Sequence, residues 1–202
     1  MKILIRNMAF LVVGVLFLSA CGAPDPVHDP ALFGTWHWDG NINFTYIFES
    51  DGTGRRGDRQ VDEFTWDTRD DDLLVLNFGS GFADDEWTWQ VVGDRLTIVN
   101  RNEPQTFSYL RPNMNPALVG TWVWDMSDEI DHYEYVFADN GTLVRGFIDE
   151  PLDNLNWFTA DNLLVMYSGV NYEMWYFTIS GNVLTIDNFH VSGQTFNYIR
   201  AN

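Results

Sequence analysis

The side chains that could carry out chemistry in this sequence do not form a recognisable catalytic constellation. There is no Gly-x-Ser-x-Gly nucleophile elbow, no His-Glu-x-x-His zinc motif and no glycine-rich phosphate loop. Asp and Glu number 29, so no acid pair of the glycosidase type can be singled out. We therefore expect that the chain is not an enzyme.

Metal-binding patterns are also missing. The acidic runs at 70–72, 84–86 and 128–131 lack the Asp-x-Asp-x-Asp-Gly spacing of a calcium loop. His37, between two tryptophans, is expected to be a solvated strand residue rather than a ligand. The arginines of segment 55–59 form the only local positive cluster, which could contact an anionic ligand or, as we expect, pair with nearby carboxylates. The sequence thus predicts neither a metal ion nor a cofactor.

One thiol stands out because of the residues before it. Cys21 is the only cysteine, and it ends the run Leu-Ser-Ala-Cys behind a basic, apolar leader that contains Lys2 and Arg6. This run resembles the lipobox of bacterial lipoproteins. The resemblance implies a signal peptide over 1–20 that is cleaved before Cys21, with a diacylglycerol on the cysteine thiol. The expected location is the extracytoplasmic face of the cell membrane, and Gly22 is compatible with sorting to an outer membrane in a host that has one.

The charge of the chain restricts its partners. The formal net charge is −18, and the segment after Cys21 contains no lysine. Such a chain has no basic patch for nucleic acid, and anionic lipid headgroups should repel it. We therefore expect the acyl chains on Cys21 to be its contact with the membrane. Use of this thiol as the anchor also removes disulfides and cysteine-based metal sites.

After the anchor, the sequence is a tether followed by two copies of one unit. Residues 21–31 are rich in proline and predict an extended tether, with His28 in solvent. The copies are 32–111 and 118–202, joined by a linker at 112–117. Five blocks recur in the same order, namely 32–39 with 118–125, 46–53 with 135–142, 72–76 with 162–166, 93–98 with 181–186 and 105–111 with 194–200. The short linker predicts that the two units lie close together, with a crevice between them as a further candidate site.

Each copy predicts β structure. Apolar and polar residues alternate with a period of two, and glycine-containing turns separate the apolar runs. Asp51-Gly52 and Asn140-Gly141 suit type I′ hairpins, whereas Gly93-Asp94 suits type II′. About eight short strands per copy is the number that closes a small barrel. The predicted fold is all-β, with two small antiparallel up-and-down barrels in tandem.

Two motifs carry a resemblance to a known family. Gly34-Thr35-Trp36 with the distal Arg111 resembles the Gly-x-Trp and arginine signature of lipocalin and wider calycin barrels, and the second copy repeats it. In that family the arginine packs across the tryptophan ring at the closed end of the barrel. The expected packing residues are Gly34, Trp36, Arg111, Gly120, Trp122 and Arg200.

The resemblance implies binding of a small hydrophobic or aromatic ligand, or an interaction module of the cell envelope. The nine tryptophans supply candidate ligand-binding residues, of which we single out Trp38, Trp87, Trp124 and Trp175. Two alternatives remain open: a structural or protein-interaction lipoprotein with filled barrels, and a glycan-binding module that uses exposed tryptophans. Partners would then be an envelope protein or a glycan.

Overall fold

The structure, a computed structural model, describes residues 26–126, 132–147 and 150–201. A single 3₁₀ turn, Pro30–Leu32, precedes the first strand. Cys21, the leader and the acidic run at 128–131 lie outside the described residues. The strands are β1 (Gly34–Trp38), β2 (Asn41–Phe48), β3 (Thr53–Gly57), β4 (Val61–Arg69), β5 (Leu73–Asn77), β6 (Asp85–Val92), β7 (Arg95–Asn100), β8 (Thr106–Leu110), β9 (Gly120–Trp124), β10 (Tyr133–Phe137), β11 (Thr142–Phe147), β12 (Asp153–Ala160), β13 (Leu163–Ser168), β14 (Asn171–Ser180), β15 (Val183–Asn188) and β16 (Thr195–Arg200).

The strands close into two antiparallel barrels of eight strands each. In barrel 1 each strand pairs with the next, and β8 returns to β1 through the pairs His37 with Leu110 and Trp38 with Tyr109. Barrel 2 runs from β9 to β16 and closes through the pair Tyr198 with Trp124. The predicted all-β fold with two tandem barrels is therefore confirmed. No membrane-spanning helix occurs within the residues that the structure describes.

The hairpins at Asp51-Gly52 and Asn140-Gly141 differ from the predicted type I′ turns. Type I′ requires positive φ at both central residues, but only the glycines have it, with φ of 82° at Gly52 and at Gly141. Gly52 donates its N–H to the Glu49 carbonyl, and Asp51 accepts bonds from the Thr53 N–H and hydroxyl. The turn is thus a four-residue turn that ends on a left-handed glycine, because the Asp51 side chain stabilises an ordinary backbone conformation at its own position.

The barrel interiors are packed with aromatic and branched side chains. Trp36 and Trp122 are fully buried, as are Leu32 and Leu118 just before the first strand of each barrel. The two cores are equivalent, so that Tyr46 and Phe48 of barrel 1 match Tyr135 and Phe137 of barrel 2. Burial of these rings supplies the main stabilisation of a fold without disulfides.

A third apolar cluster lies between the barrels. It combines Ile42 and Leu110 of barrel 1 with the outer face of β12, β13 and β14 in barrel 2, namely Phe158, Ala160, Leu163, Val165 and Met174. The Tyr172 hydroxyl donates to the Gly40 carbonyl at 3.0 Å, and the Asp94 N–H donates to the Asp161 carboxylate at 3.2 Å. Apolar packing and polar bonds at its edge therefore join the two barrels.

A short extended segment, here called the strap, precedes each barrel and pairs with its fourth strand. The strap contains Val27 before barrel 1 and Asn113 before barrel 2. The Thr68 N–H donates to the Val27 carbonyl at 2.7 Å, and the Asn113 N–H donates to the Thr159 carbonyl at 2.8 Å. The His28 ring packs 5.0 Å from the Trp66 ring. The prediction of a solvated His28 was therefore wrong: the described part of the proline-rich segment lies on barrel 1, because its main chain finds partners on β4.

Candidate functional site

The closed end of each barrel is built from the Gly-x-Trp motif and the distal arginine. The guanidinium of Arg111 lies 4.2 Å from the centre of the Trp36 ring, and that of Arg200 lies 4.2 Å from the centre of the Trp122 ring. The Trp36 indole N–H donates to the Leu32 carbonyl at 2.8 Å, and Trp122 repeats this bond with Leu118. These contacts hold the segment before the first strand over the end of each barrel, where Leu32 and Leu118 are fully buried.

The backbone conformation at the first position of this motif favours glycine. Gly34 and Gly120 have φ of 105° and 126°, a region in which side chains are strained. A Cβ atom on Gly120 would also lie 3.2 Å from the Arg200 guanidinium. The glycines therefore allow the chain to turn into the first strand beneath the arginine.

The four candidate tryptophans divide between the barrels. Trp87 and Trp175 are each 7% exposed, whereas Trp38 and Trp124 are half-buried. In barrel 2, Trp124 and Trp175 line one cavity of about 330 Å³. Its other lining residues are Tyr133, Tyr135, Phe147, Gln194, Phe196 and Tyr198. The structure thus brings two of the four candidates together in an aromatic cavity.

In barrel 1 the matching tryptophan packs against its neighbours instead. The Trp38 ring makes edge contacts with Phe44 at 6.2 Å and with Phe107 at 5.8 Å. Two residues join β1 to β2, whereas eight join β9 to β10. A Cβ atom on Gly40 would lie 2.7 Å from the Trp38 ring, so the tight turn holds this ring in place. The lengths of these connections are readable in the sequence and distinguish the two barrels.

A Tyr-Arg-carboxylate cluster lies beside the aromatic cavity, and the sequence analysis missed it. In barrel 2 the Arg145 guanidinium donates two bonds to the Glu173 carboxylate, at 2.6 and 2.8 Å. It also donates to the Tyr135 hydroxyl at 3.5 Å. The Trp175 indole N–H donates to the same carboxylate at 3.3 Å. Glu173 is therefore bonded to the cavity residue Trp175, and Arg145 is bonded to the cavity residue Tyr135.

Barrel 1 contains the matching cluster with a shorter acid. Arg56 donates to the Tyr46 hydroxyl at 3.0 Å and to the Asp85 carboxylate at 3.4 Å. The Trp87 indole N–H is buried with no hydrogen-bond partner among the described residues. The Asp85 side chain is one methylene shorter than that of Glu173, so its carboxylate does not extend to the Trp87 indole N–H as the Glu173 carboxylate extends to that of Trp175. Arg56, and Arg55 with Glu49 at 3.7 Å, are thus paired with carboxylates within the chain, one of the two possibilities that the sequence left open for the cluster at 55–59.

The electrostatics of the barrel 2 cavity keep the phenols of Tyr133 and Tyr198 protonated. Burial, with the neighbouring Tyr135 as a smaller cause, raises the pKa of Tyr133 to about 12, and burial also raises the pKa of Tyr198. Hydrogen bonds from Arg145 lower the pKa of Glu173 despite the opposing effect of burial. At neutral pH the site therefore presents neutral hydroxyl groups beside an intact ion pair.

The predicted crevice between the barrels is an open cleft of about 760 Å³ whose lining includes Thr35, His37, Phe158 and Tyr167. The prediction of a solvated His37 was wrong. Its ring lies 5.1 Å from the Phe158 ring, and Nδ1 is 2.7 Å from the Ile42 carbonyl oxygen. Burial lowers the pKa of His37.

The side chains of the acidic run at 84–86 make contacts within the protein. Asp84 accepts a hydrogen bond from Asn77, and Asp85 is paired with Arg56. Among the described residues, no group of three His, Cys, Asp or Glu side chains could hold a metal ion.

Comparisons with known proteins do not assign this site to a family. No protein-family model matches the chain, and no curated protein matches it.

Proposed function

We propose that this chain is a membrane-anchored, extracytoplasmic lipoprotein with two lipocalin-like domains, the second of which binds a small hydrophobic or aromatic molecule. The observation that carries the proposal is the cavity of about 330 Å³ in barrel 2. This volume is at the lower end of the range of about 300 to 1,000 Å³ for small-molecule sites. Seven of its eight lining residues are aromatic.

The wall chemistry supports a planar ligand. Trp124, Trp175 and Phe196 contribute aromatic rings to the lining, and Tyr135, Tyr198 and Gln194 add neutral polar groups. Aromatic pairs gain about 0.5 to 1.5 kcal/mol beyond the burial of their area. Barrel 1, with Trp38 packed between Phe44 and Phe107, serves in this proposal as the support that carries barrel 2.

The alternatives have less support. Glycan binding on tryptophan platforms requires rings that face solvent, but each of the nine tryptophans is buried or half-buried. A purely structural lipoprotein would have two filled barrels, whereas barrel 2 has a cavity beside Trp124.

The ligand test uses residues 22–202 purified without the anchor. Native mass spectrometry and solvent extraction should reveal a co-purifying small molecule, and titration calorimetry with 2-naphthol should show saturable binding. Trp124→Ala should weaken that binding about tenfold, since it removes one ring contact and its buried area. Phe82→Ala, which removes a side chain that is 72% exposed on barrel 1, should leave it unchanged. A clean apo mass with no uptake of 2-naphthol would favour the structural alternative.

The anchor has a separate test. Cys21→Ala in the full chain should release the protein from the detergent phase into the aqueous phase, because no acyl chain can then be attached. Cys21→Ser serves as a matched control, since it also lacks the thiol and should behave identically. Continued partition of both variants with detergent would contradict the lipoprotein assignment.

A further inference from the structure

The charges around the barrel 2 cavity indicate which class of small molecule it accepts; this inference rests on the proposed function. None of the residues described as lining the cavity is charged. From residue 118 to residue 202 the chain contains no lysine and two arginines, Arg145 and Arg200. An anionic ligand would therefore depend on one of these two side chains.

Arg200 is committed to the closed end. Its guanidinium lies over the Trp122 ring and donates to the carbonyls of Val119 and Ala117. The cavity is lined instead by Trp124 and Phe196, from the other end of the same strands. Arg200 therefore cannot neutralise a ligand in the cavity without leaving its ring.

Arg145 is next to the cavity, but its charge is already balanced. Glu173 accepts two of its hydrogen bonds, and the Asp153 carboxylate lies 3.4 Å from its Nε. Since the Arg145 side chain is only 15% exposed, an added anion would have to compete with Glu173 in a largely desolvated place. Displacement of Glu173 would break its two hydrogen bonds to Arg145 and leave a carboxylate that is 40% exposed without that partner, which is unfavourable.

Two further features oppose an anion. The nearby His132 lies 3.7 Å from the Glu134 carboxylate, so that this ring also has an acidic neighbour. The formal net charge of −18 adds a long-range repulsion. The polar groups that the lining residues carry, the hydroxyl of Tyr198 and the amide of Gln194 among them, are in contrast neutral and suit a neutral polar group.

We infer that the barrel 2 cavity takes an uncharged planar molecule with one polar group and selects against carboxylates, with the Arg145–Glu173 pair as the residues that determine this selectivity. Glu173 keeps Arg145 from acting as an anion receptor. The duplicated pair in barrel 1 has no such role, because Trp38 packs across the corresponding site.

The test compares 2-naphthol with 2-naphthoate, which has the same ring system but carries a negative charge at pH 7. We expect the unaltered protein, residues 22–202, to bind 2-naphthol at least about tenfold more tightly in titration calorimetry. Equal or tighter binding of 2-naphthoate overturns the inference while the proposed ligand site stands. If neither probe binds, the proposed function fails and the selectivity fails with it.

Variants locate the origin of the selectivity. Glu173→Gln should raise the affinity for 2-naphthoate, relative to that for 2-naphthol, about tenfold, since Arg145 then keeps Asp153, 3.4 Å from its Nε, but loses its two bonds to the Glu173 carboxylate. Asp85→Asn makes the same charge change at the matching position of barrel 1 and should alter neither affinity. The double variant Arg145→Gln with Glu173→Gln should lose the gain. Unchanged selectivity in a folded Glu173→Gln protein, as judged by circular dichroism, would refute the role of the pair.

Discussion

At the scale of single residues, Arg200 at the closed end of barrel 2 combines three interactions in one side chain, whereas the matching Arg111 of barrel 1 combines its ring contact with a bond to the Ala31 carbonyl. Arg200 lies over Trp122 and donates to two backbone carbonyls of the segment before β9. The resemblance to the Gly-x-Trp and distal arginine signature predicted that this arginine pairs with the motif that begins at Gly120, 80 residues earlier. The carbonyl partners were not predictable, since they belong to main-chain atoms that any sequence provides.

Replacement of this arginine should therefore destabilise barrel 2. We expect Arg200→Ala to lower the free energy of unfolding by about 2 to 4 kcal/mol, the sum of a cation–π contact and charge-assisted hydrogen bonds. Urea denaturation followed by tryptophan fluorescence measures the change. Arg69→Ala is the control, since Arg69 is half exposed and pairs only with Asp67, an arrangement worth about 1 kcal/mol or less. A similar loss in both variants would argue against a special role for Arg200.

At the scale of elements, much of the fold could be predicted, because strands in a barrel have one face inside. The period-two alternation predicted strands, and Trp36 and Trp38 do belong to one strand, β1. The type I′ turns were predicted wrongly because the Asp-Gly dipeptide does not specify φ at Asp51. There the bond from the Thr53 N–H to the Asp51 side chain stabilises a backbone conformation with negative φ. The strap at Val27 gave no apolar signal, since Val27 pairs through its backbone carbonyl, which accepts from the Thr68 N–H and hydroxyl.

The candidate site was harder to predict than the strands that build it. Arg145 and Glu173 are 28 residues apart in sequence, and they meet because the registers from β11 through β14 align them. Sequence periodicity predicts whether a side chain points into or out of the barrel, but not its level along the barrel axis. Trp124 and Trp175 could be selected for their type, whereas their meeting at one cavity depends on strand stagger.

At the scale of the whole molecule, the barrels are joined through unlike surfaces. The outer face of β12, β13 and β14 carries Phe158, Val165 and Met174, which pack against Ile42 and Leu110. The corresponding positions on β4, β5 and β6 of barrel 1 include Asp67 and Glu86. Because charged groups replace Phe158 and Met174 there, that face of barrel 1 cannot form the same apolar junction with a further barrel.

This junction should respond to acid through His37, which lies against Phe158. Burial lowers its pKa below the ordinary value of 6.5, so the unfolded chain binds the proton more readily. The stability that neutral His37 provides is therefore complete above pH 6.5 and is lost as the pH falls below it. His37→Gln keeps a donor for the Ile42 carbonyl but cannot be protonated, and should lose less stability between pH 7 and pH 5 in urea denaturation than the unaltered protein. His190→Gln, at an exposed histidine, should retain the full pH dependence; equal slopes in all three proteins would show that His37 does not couple the junction to pH.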